Sequence, residues 1–264
     1  MHNLYEPVSA IMRACSETVI LKHFQNLSAG QIEEKAPNDL VTVADKESER
    51  FLTTKLRELL PEAAILGEEA TAADPSVMKR IHAPLCWVID PIDGTGNFAR
   101  GESPFGILIA LVRGGGTEAG WIYDPVTKRL CHAYRSRGAW INDVPVTSKG
   151  SGQARPVAAL YTSFMDASER QRVDAAGAAH YDVVPPPMCA AEQYPLLVTG
   201  KHDVTIYRRS LPWDHASGAL FLSEAGGKIA RFDGTPYRPD QTEMSGMLAA
   251  ATPGLWDAAA AALL

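Results

Sequence analysis

The stretch Trp87-Val88-Ile89-Asp90-Pro91-Ile92-Asp93-Gly94-Thr95-Gly96-Asn97-Phe98 decides how this chain is read. The apolar run from Leu85 to Ile89 has the length and β-branched content of a buried strand. It ends in two carboxylates, Asp90 and Asp93, separated by a proline and an isoleucine, and a Gly-Thr-Gly turn follows at once. That order delivers acidic ligands and backbone N–H groups to one point at a strand end. Hard cations take oxygen ligands such as carboxylates, and phosphates sit well on N–H groups at turns and helix starts. One short segment can therefore hold a metal and a phosphate together, provided the rest of the chain completes the ligand set.

The whole chain sets bounds on that reading. Its 264 residues suffice for one large domain or two intimate halves. A composition of 46% hydrophobic and 21% charged residues is that of an ordinary globular protein. The formal net charge of −6 argues against a nucleic-acid partner. Cys15, Cys86, Cys131 and Cys189 are scattered without a C-x-x-C pair, so reduced thiols are expected and a zinc site is not. The start of the chain lacks a basic-then-apolar leader and no run reaches the ~20 apolar residues of a membrane span, so a cytoplasmic protein without membrane contact is expected.

Working outward from the opening stretch, apolar residues from Leu4 to Leu27 recur at helical spacing, with Gly30 as a stop. Leu40, Val41 and Val43 predict a short strand, and Asp45 stands where the N-cap of a helix over about Lys46–Leu60 would be. Ala63 to Leu66 reads as a brief strand leading into Gly67-Glu68-Glu69, and Ala70 to Pro84 as a connection with a short helix. Downstream, residues 105–112, 118–123 and 130–134 read as consecutive antiparallel strands. The Gly- and Ser-rich segment near Lys149 to Pro156 divides a β-rich half, residues 1–148, from an α/β half, residues 149–264. In that second half Asp214 heads an apolar helix rich in small residues, ended by Gly226-Gly227.

Asp45, Glu68, Asp90, Asp93 and Asp214 share a character, since each lies at an element end beside small residues. Gathered in one cleft, such carboxylates would repel one another and raise one another's pKa values. Divalent cations remove that penalty, and an all-oxygen set without clustered His or Cys favours Mg²⁺ or Mn²⁺ over zinc.

Asp-Pro-Ile-Asp-Gly-Thr after Trp-Val-Ile, the upstream Gly-Glu-Glu, and the downstream Trp-Asp-x-x-x-Gly…Glu-Ala-Gly-Gly together resemble the signature of the inositol monophosphatase family, the lithium-sensitive Mg²⁺-dependent phosphatases. The resemblance runs from Lys35 to Gly227. It implies a five-layered αβαβα sandwich with an antiparallel-rich N-terminal sheet, two or three Mg²⁺ ions, and a homodimer. Carried over by position, it implies a first metal on Glu68, Asp90 and the Ile92 carbonyl, and a second on Asp90, Asp93 and Asp214. Asp45 falls near a third metal, and Lys35 beside the same cluster. Gly94 and Thr95 match the N–H groups that hold the substrate phosphate, and Glu68 with the Thr95 hydroxyl matches the pair that activates water. The implied activity is hydrolysis of a small polyol or sugar-type phosphomonoester resembling inositol monophosphate.

The chain departs from the family on the substrate side. Where relatives carry Gly-Ser/Thr-Ala-Ala it has Met188-Cys189-Ala190-Ala191, and the position of the family's ring-binding glutamate falls on Tyr207, followed by Arg208 and Arg209. Ala191, Tyr207 and Arg208 are therefore the candidate substrate contacts. Histidinol phosphate, fructose 1,6-bisphosphate and 3′-phosphonucleotides stay open as alternative substrates. The extragenic suppressor-type relatives, which act in transcription antitermination, leave open a reading of another class.

Overall fold

The computed structural model describes residues 3–36 and 39–264, with the side chains of residues 29, 35, 36 and 39 outside that description. The first helical stretch is interrupted. Helix α1 (Tyr5–Cys15) passes into a π-helical turn over Ser16–Ile20, then α2 (Leu21–His23), and the chain leaves at Phe24, whose ψ is 124°. The 24-residue helix expected from periodicity is thus shorter and wider in its last turns, and Gly30 lies in a single 3-10 turn rather than at the helix stop.

Strands β1 (Ile32–Ala36) and β2 (Asp39–Thr42) form an antiparallel pair that feeds α3 (Val43–Leu59). The cap of α3 corrects the sequence expectation. Thr42 is the N-cap, its hydroxyl accepting from the Ala44 N–H, and Asp45 sits in the first turn with its carboxylate accepting from the Thr42 N–H at 2.8 Å. This is the reciprocal capping box, which satisfies donors that a helix start leaves orphaned.

Strand β3 (Ala64–Gly67) leads directly into α4 (Glu68–Ala73), and a 3-10 segment over Pro75–His82 precedes β4 (Leu85–Asp93). After α5 (Thr95–Ala99) come β5 (Gly106–Arg113), β6 (Gly116–Tyr123), β7 (Leu130–Tyr134), β8 (Gly138–Ile141) and β9 (Val144–Val146). These seven strands make one sheet in the order β3 to β9, parallel only between β3 and β4. The remaining strands, β10 (Val157–Tyr161), β11 (Asp182–Val184), β12 (Val204–Tyr207), β13 (Lys228–Arg231) and β14 (Met247–Ala250), form a second sheet in the order β11-β10-β12-β14-β13. Its β10, β11 and β12 are parallel, whereas β14 and β13 run antiparallel, so the second half is a mixed sheet.

Strand alternation shows how the layers stack. Ile107, Ile109 and Leu111 face a core built with α1 and α3, while Leu108 of the same strand faces α7 (Ala190–Val198) and α8 (Pro212–Glu224). Met247 and Ala249 line that same middle core from the second sheet. Leu248 and Ala250 turn instead to an outer core with α6 (Ala167–His180) and α9 (Pro253–Leu263). Period-two alternation along buried strands thus sorts the chain into helix, sheet, helix, sheet and helix layers. The five-layered αβαβα sandwich is the observed architecture. Among the described residues no helix is long and apolar enough to cross a membrane.

Candidate active site

The opening stretch contains a structural device that its sequence does not announce. Asp90 pairs with Leu108 on β5 and Asp93 with Gly106, so three steps on β4 oppose two on its partner. A regular strand would turn residues 90 and 93 to opposite faces. The bulge at Pro91-Ile92 absorbs the odd residue, and both carboxylates line one cavity of about 450 Å³. Pro91 is tolerated there because a bulge leaves a backbone position without a ladder partner. The Ile92 N–H instead donates to Asp90 Oδ1 at 3.1 Å.

Glu68, the first residue of α4, and Asp214, in the first turn of α8, line the same cavity as Ile92, Gly94 and Thr95. Asp90, 2% exposed, is pushed well above the ordinary carboxylate range by burial and by the charges of Glu68, Asp93, Asp214 and Asp45. Asp45 rises to about 7, chiefly through burial, against the lowering effect of its bonds to Thr42. Asp93 is also raised by burial, although the Ala191 N–H (2.6 Å) and the Cys189 thiol (3.0 Å) both donate to its Oδ2. Five carboxylates from four separate segments therefore act on one another electrostatically.

The donor set fits a hard divalent cation. It is all oxygen, and burial makes Asp45, Asp90 and Asp93 resist ionising without a counter-charge. Among the described residues, no three His, Cys, Asp or Glu side chains close into a compact cage. Glu68, Asp90, Asp93 and Asp214 instead line an open cavity.

Gly94 adopts φ +83°, the left-handed conformation that glycine takes at no steric cost, and it starts α5. The Thr95 hydroxyl is 3.1 Å from Asp45 Oδ1 and 2.9 Å from the Ile92 carbonyl. Asp45 and the Ile92 carbonyl are thus the acceptors within reach of the hydroxyl, and Thr95 shares its cavity with Glu68. Glu49 of α3 was missed altogether. Its buried carboxylate accepts from the Glu69 and Ala70 N–H groups at 2.7 and 2.8 Å, which fixes the helix start that carries Glu68. Burial raises Glu49 to about 7.

The substrate-side candidates separate. The Ala191 N–H is committed to Asp93, so this residue braces a carboxylate of the site. Tyr207, at the end of β12, lines a second cavity of about 130 Å³ that adjoins the first, together with Arg208. Arg208 is tied to Glu169 at 3.1 Å and to Ser245 at 2.6 Å. Met188, standing where relatives have glycine, takes φ +53°. His215 bonds locally, its Nδ1 facing the Tyr194 hydroxyl at 3.0 Å, and burial drives it down to about 3. The Lys35 side chain lies outside the described residues.

Comparison with known proteins gives a concordant result. A model of the Inositol monophosphatase family matches residues 3–264. An inositol-1-monophosphatase of Bacillus subtilis is 33% identical over 220 residues, 78% of this chain and 78% of that one. The Nus factor SuhB of Vibrio cholerae is 29% identical over 245 residues, 89% of this chain and 86% of its own. Among solved structures, the extragenic suppressor protein suhB of Bartonella henselae has a TM-score of 0.83 at 23% identity, over 99% of this chain and 98% of that one, which is a likeness of fold.

Proposed function

The chain belongs to the inositol monophosphatase family, and from that premise we propose that it is a Mg²⁺-dependent phosphomonoesterase of a small phosphate ester. The observation that carries the reading is the convergence of Glu68, Asp90, Asp93 and Asp214 on one cavity bordered by the Gly94-Thr95 turn. A polyol or sugar-type phosphate is the substrate class of this reading, and the Bacillus subtilis relative is named for one polyol ester, inositol 1-monophosphate. Mn²⁺ substitution, lithium sensitivity and a homodimer belong to the same reading.

Glu68, Asp90 and the Ile92 carbonyl would hold one Mg²⁺, and Asp90, Asp93 and Asp214 a second. Bound there, the ions would acidify water and neutralise charge on the phosphate and the leaving oxygen. The protein's own groups do the rest. The N–H groups of Gly94 and Thr95 seat the phosphate oxygens at a turn. The Thr95 hydroxyl donates to Asp45 or to the Ile92 carbonyl, so its lone pairs remain to accept a hydrogen bond from water and aim that water at phosphorus. Glu68, on the cavity wall, receives the proton. The P–O bond to the alcohol breaks as the water oxygen bonds to phosphorus; the alkoxide takes a proton from solvent to leave as the free alcohol, and Glu68 returns its own to solvent.

Phosphate release with and without Mg²⁺ tests the reading, using wild type, Glu68→Gln and Asp214→Asn with folding checked by circular dichroism. Both variants should keep the fold and lose most turnover. Near-normal rates at millimolar Mg²⁺ would refute the ligand assignment. The Nus factor name of the Vibrio cholerae relative supports a second reading, a transcription partner. Co-purification with RNA polymerase in the absence of phosphatase activity would favour it.

A further inference from the structure

The cavity beside the carboxylates has an unusual chemistry for a polyol site. It shares Asp93, Phe164, Met188, Arg209 and Asp214 with the larger cavity, so the alcohol half of an ester seated at Gly94-Thr95 would extend into it. Its polar groups are largely committed. The Cys189 thiol donates to Asp93, Arg208 is tied to Glu169 and Ser245, and His215 faces Tyr194. The hydroxyls of Tyr161 and Tyr207 are buried, beside the Cys189 backbone and Thr205 respectively.

The walls are aromatic. The Tyr161 and Tyr207 rings lie 4.9 Å apart, and Tyr207 packs 4.6 Å from the neutral His215 ring. Phe164, which lines the same cavity, is 56% exposed under the Arg209 guanidinium, which lies 4.4 Å from its ring centroid. Met188, 54% exposed, completes the mouth. A large exposed aromatic and an exposed thioether at the rim of a cleft mark a surface that a ligand covers. A polyol ring needs a partner for each hydroxyl it buries, and beyond Asp93, Asp214 and Arg209, which it shares with the larger cavity, this one is walled mainly by rings and committed groups.

Resting on the phosphatase reading, we infer that the alcohol half of the substrate carries a planar, weakly polar ring, held between the Phe164–Arg209 pair and the Tyr161–Tyr207 wall. Tyr207 and Phe164 are then specificity-determining residues. Flat rings stack favourably on aromatic faces and under a guanidinium.

The test compares kcat/KM at saturating Mg²⁺ for ethyl phosphate, 2-phenylethyl phosphate, glycerol 2-phosphate and inositol 1-phosphate. All four lose an alkoxide, and the first two differ by a phenyl ring alone. The ring should raise kcat/KM about tenfold or more over ethyl phosphate, mainly through KM, and 2-phenylethyl phosphate should surpass both polyol esters. Phe164→Ala, at an exposed position that the fold does not need, should reduce the phenyl-to-ethyl ratio, and Phe164→Trp should restore it. A ratio near one, a ratio unmoved by Phe164→Ala, or preference for inositol 1-phosphate would overturn the ring assignment while leaving the phosphatase intact. Absence of Mg²⁺-dependent release from all four esters would overturn the phosphatase reading itself, and the ring assignment with it.

Discussion

A single methyl group at Gly67 should disable the site from beneath. Gly67 has φ −109° and ψ 153°, which any residue adopts, so backbone strain plays no part. The constraint is space. A Cβ at Gly67 would lie 2.5 and 2.6 Å from the two Glu49 carboxylate oxygens, and contacts that short do not persist. Glu49 can yield only by moving its carboxylate, which loosens its bonds to the Glu69 and Ala70 N–H groups. Hydrogen bonds to a charged group contribute about 1.5–3 kcal/mol each, and water can replace part of that at the 7%-exposed Glu49. A destabilisation of about 2 kcal/mol is therefore expected for Gly67→Ala. Glu68 is the next residue, and a displacement of about 1 Å at a reacting geometry can cost about 10²-fold in rate.

The measurement is chemical denaturation beside Mg²⁺-dependent phosphate release for Gly67→Ala, Glu49→Ala and the double variant. Because the clash needs both groups, Gly67→Ala should cost little further in the Glu49→Ala background. Additive effects on stability, or wild-type turnover by Gly67→Ala, would refute the bracing role of Glu49.

Other consequences can be tested independently. Thr95→Ala should lower kcat by about 10²–10⁴-fold with KM little altered, on the scale of general-base contributions; an unchanged kcat would remove its hydroxyl from water positioning. Burial holds Asp45 near 7 and Asp90 well above the ordinary range without a cation, so Mg²⁺ binding at pH 6.5 should release protons; titration calorimetry in buffers of different ionisation enthalpy should show it, with affinity rising as pH rises. His132 is fully buried and stacked 5.1 Å from Trp140, and burial lowers it from 6.5 to about 4. The unfolded chain therefore binds the extra proton, so stability is full above pH 6.5 and falls as pH drops towards 4; His132→Phe should remove about 3 kcal/mol of that fall.

How far the sequence reached depends on the range of the interactions. Asp90, Asp93, Gly94 and Thr95 were readable because strand, carboxylates and turn lie within a dozen residues. The layered sandwich came from resemblance, while alternation in β5 and β14 supplies its physical cause. Glu49 was illegible: it sits inside a helix with nothing local to mark it, and its role exists only where α3 packs against the start of α4. The π-helical turn at Ser16–Ile20 is equally silent, since the apolar spacing around it still reads as an ordinary helix. The cap of α3 was misplaced by three residues because Asp45 and Thr42 are both competent caps and act as a pair.

The contacts of Asp93 show why even a correctly read motif is incomplete. Its carboxylate is held by the Ala191 N–H and the Cys189 thiol, 98 and 96 residues further along the chain. That reach depends on Gly106, which pairs with Asp93 on β5 and has no side chain: a Cβ there would stand 2.7 Å from the Ala191 Cβ and 2.9 Å from the Tyr123 carbonyl. The start of α7 can therefore press against the bulged end of β4 and aim two donors at one oxygen. A charged Asp93 is costly where burial is deep, and these two donors offset part of the cost before any cation arrives. The carboxylate ledge at the end of β4 and the start of α7 are thus completed by the same contact. A strand, two acids and a glycine turn specify where the ligands begin, and the docking of α7 decides where Asp93 points.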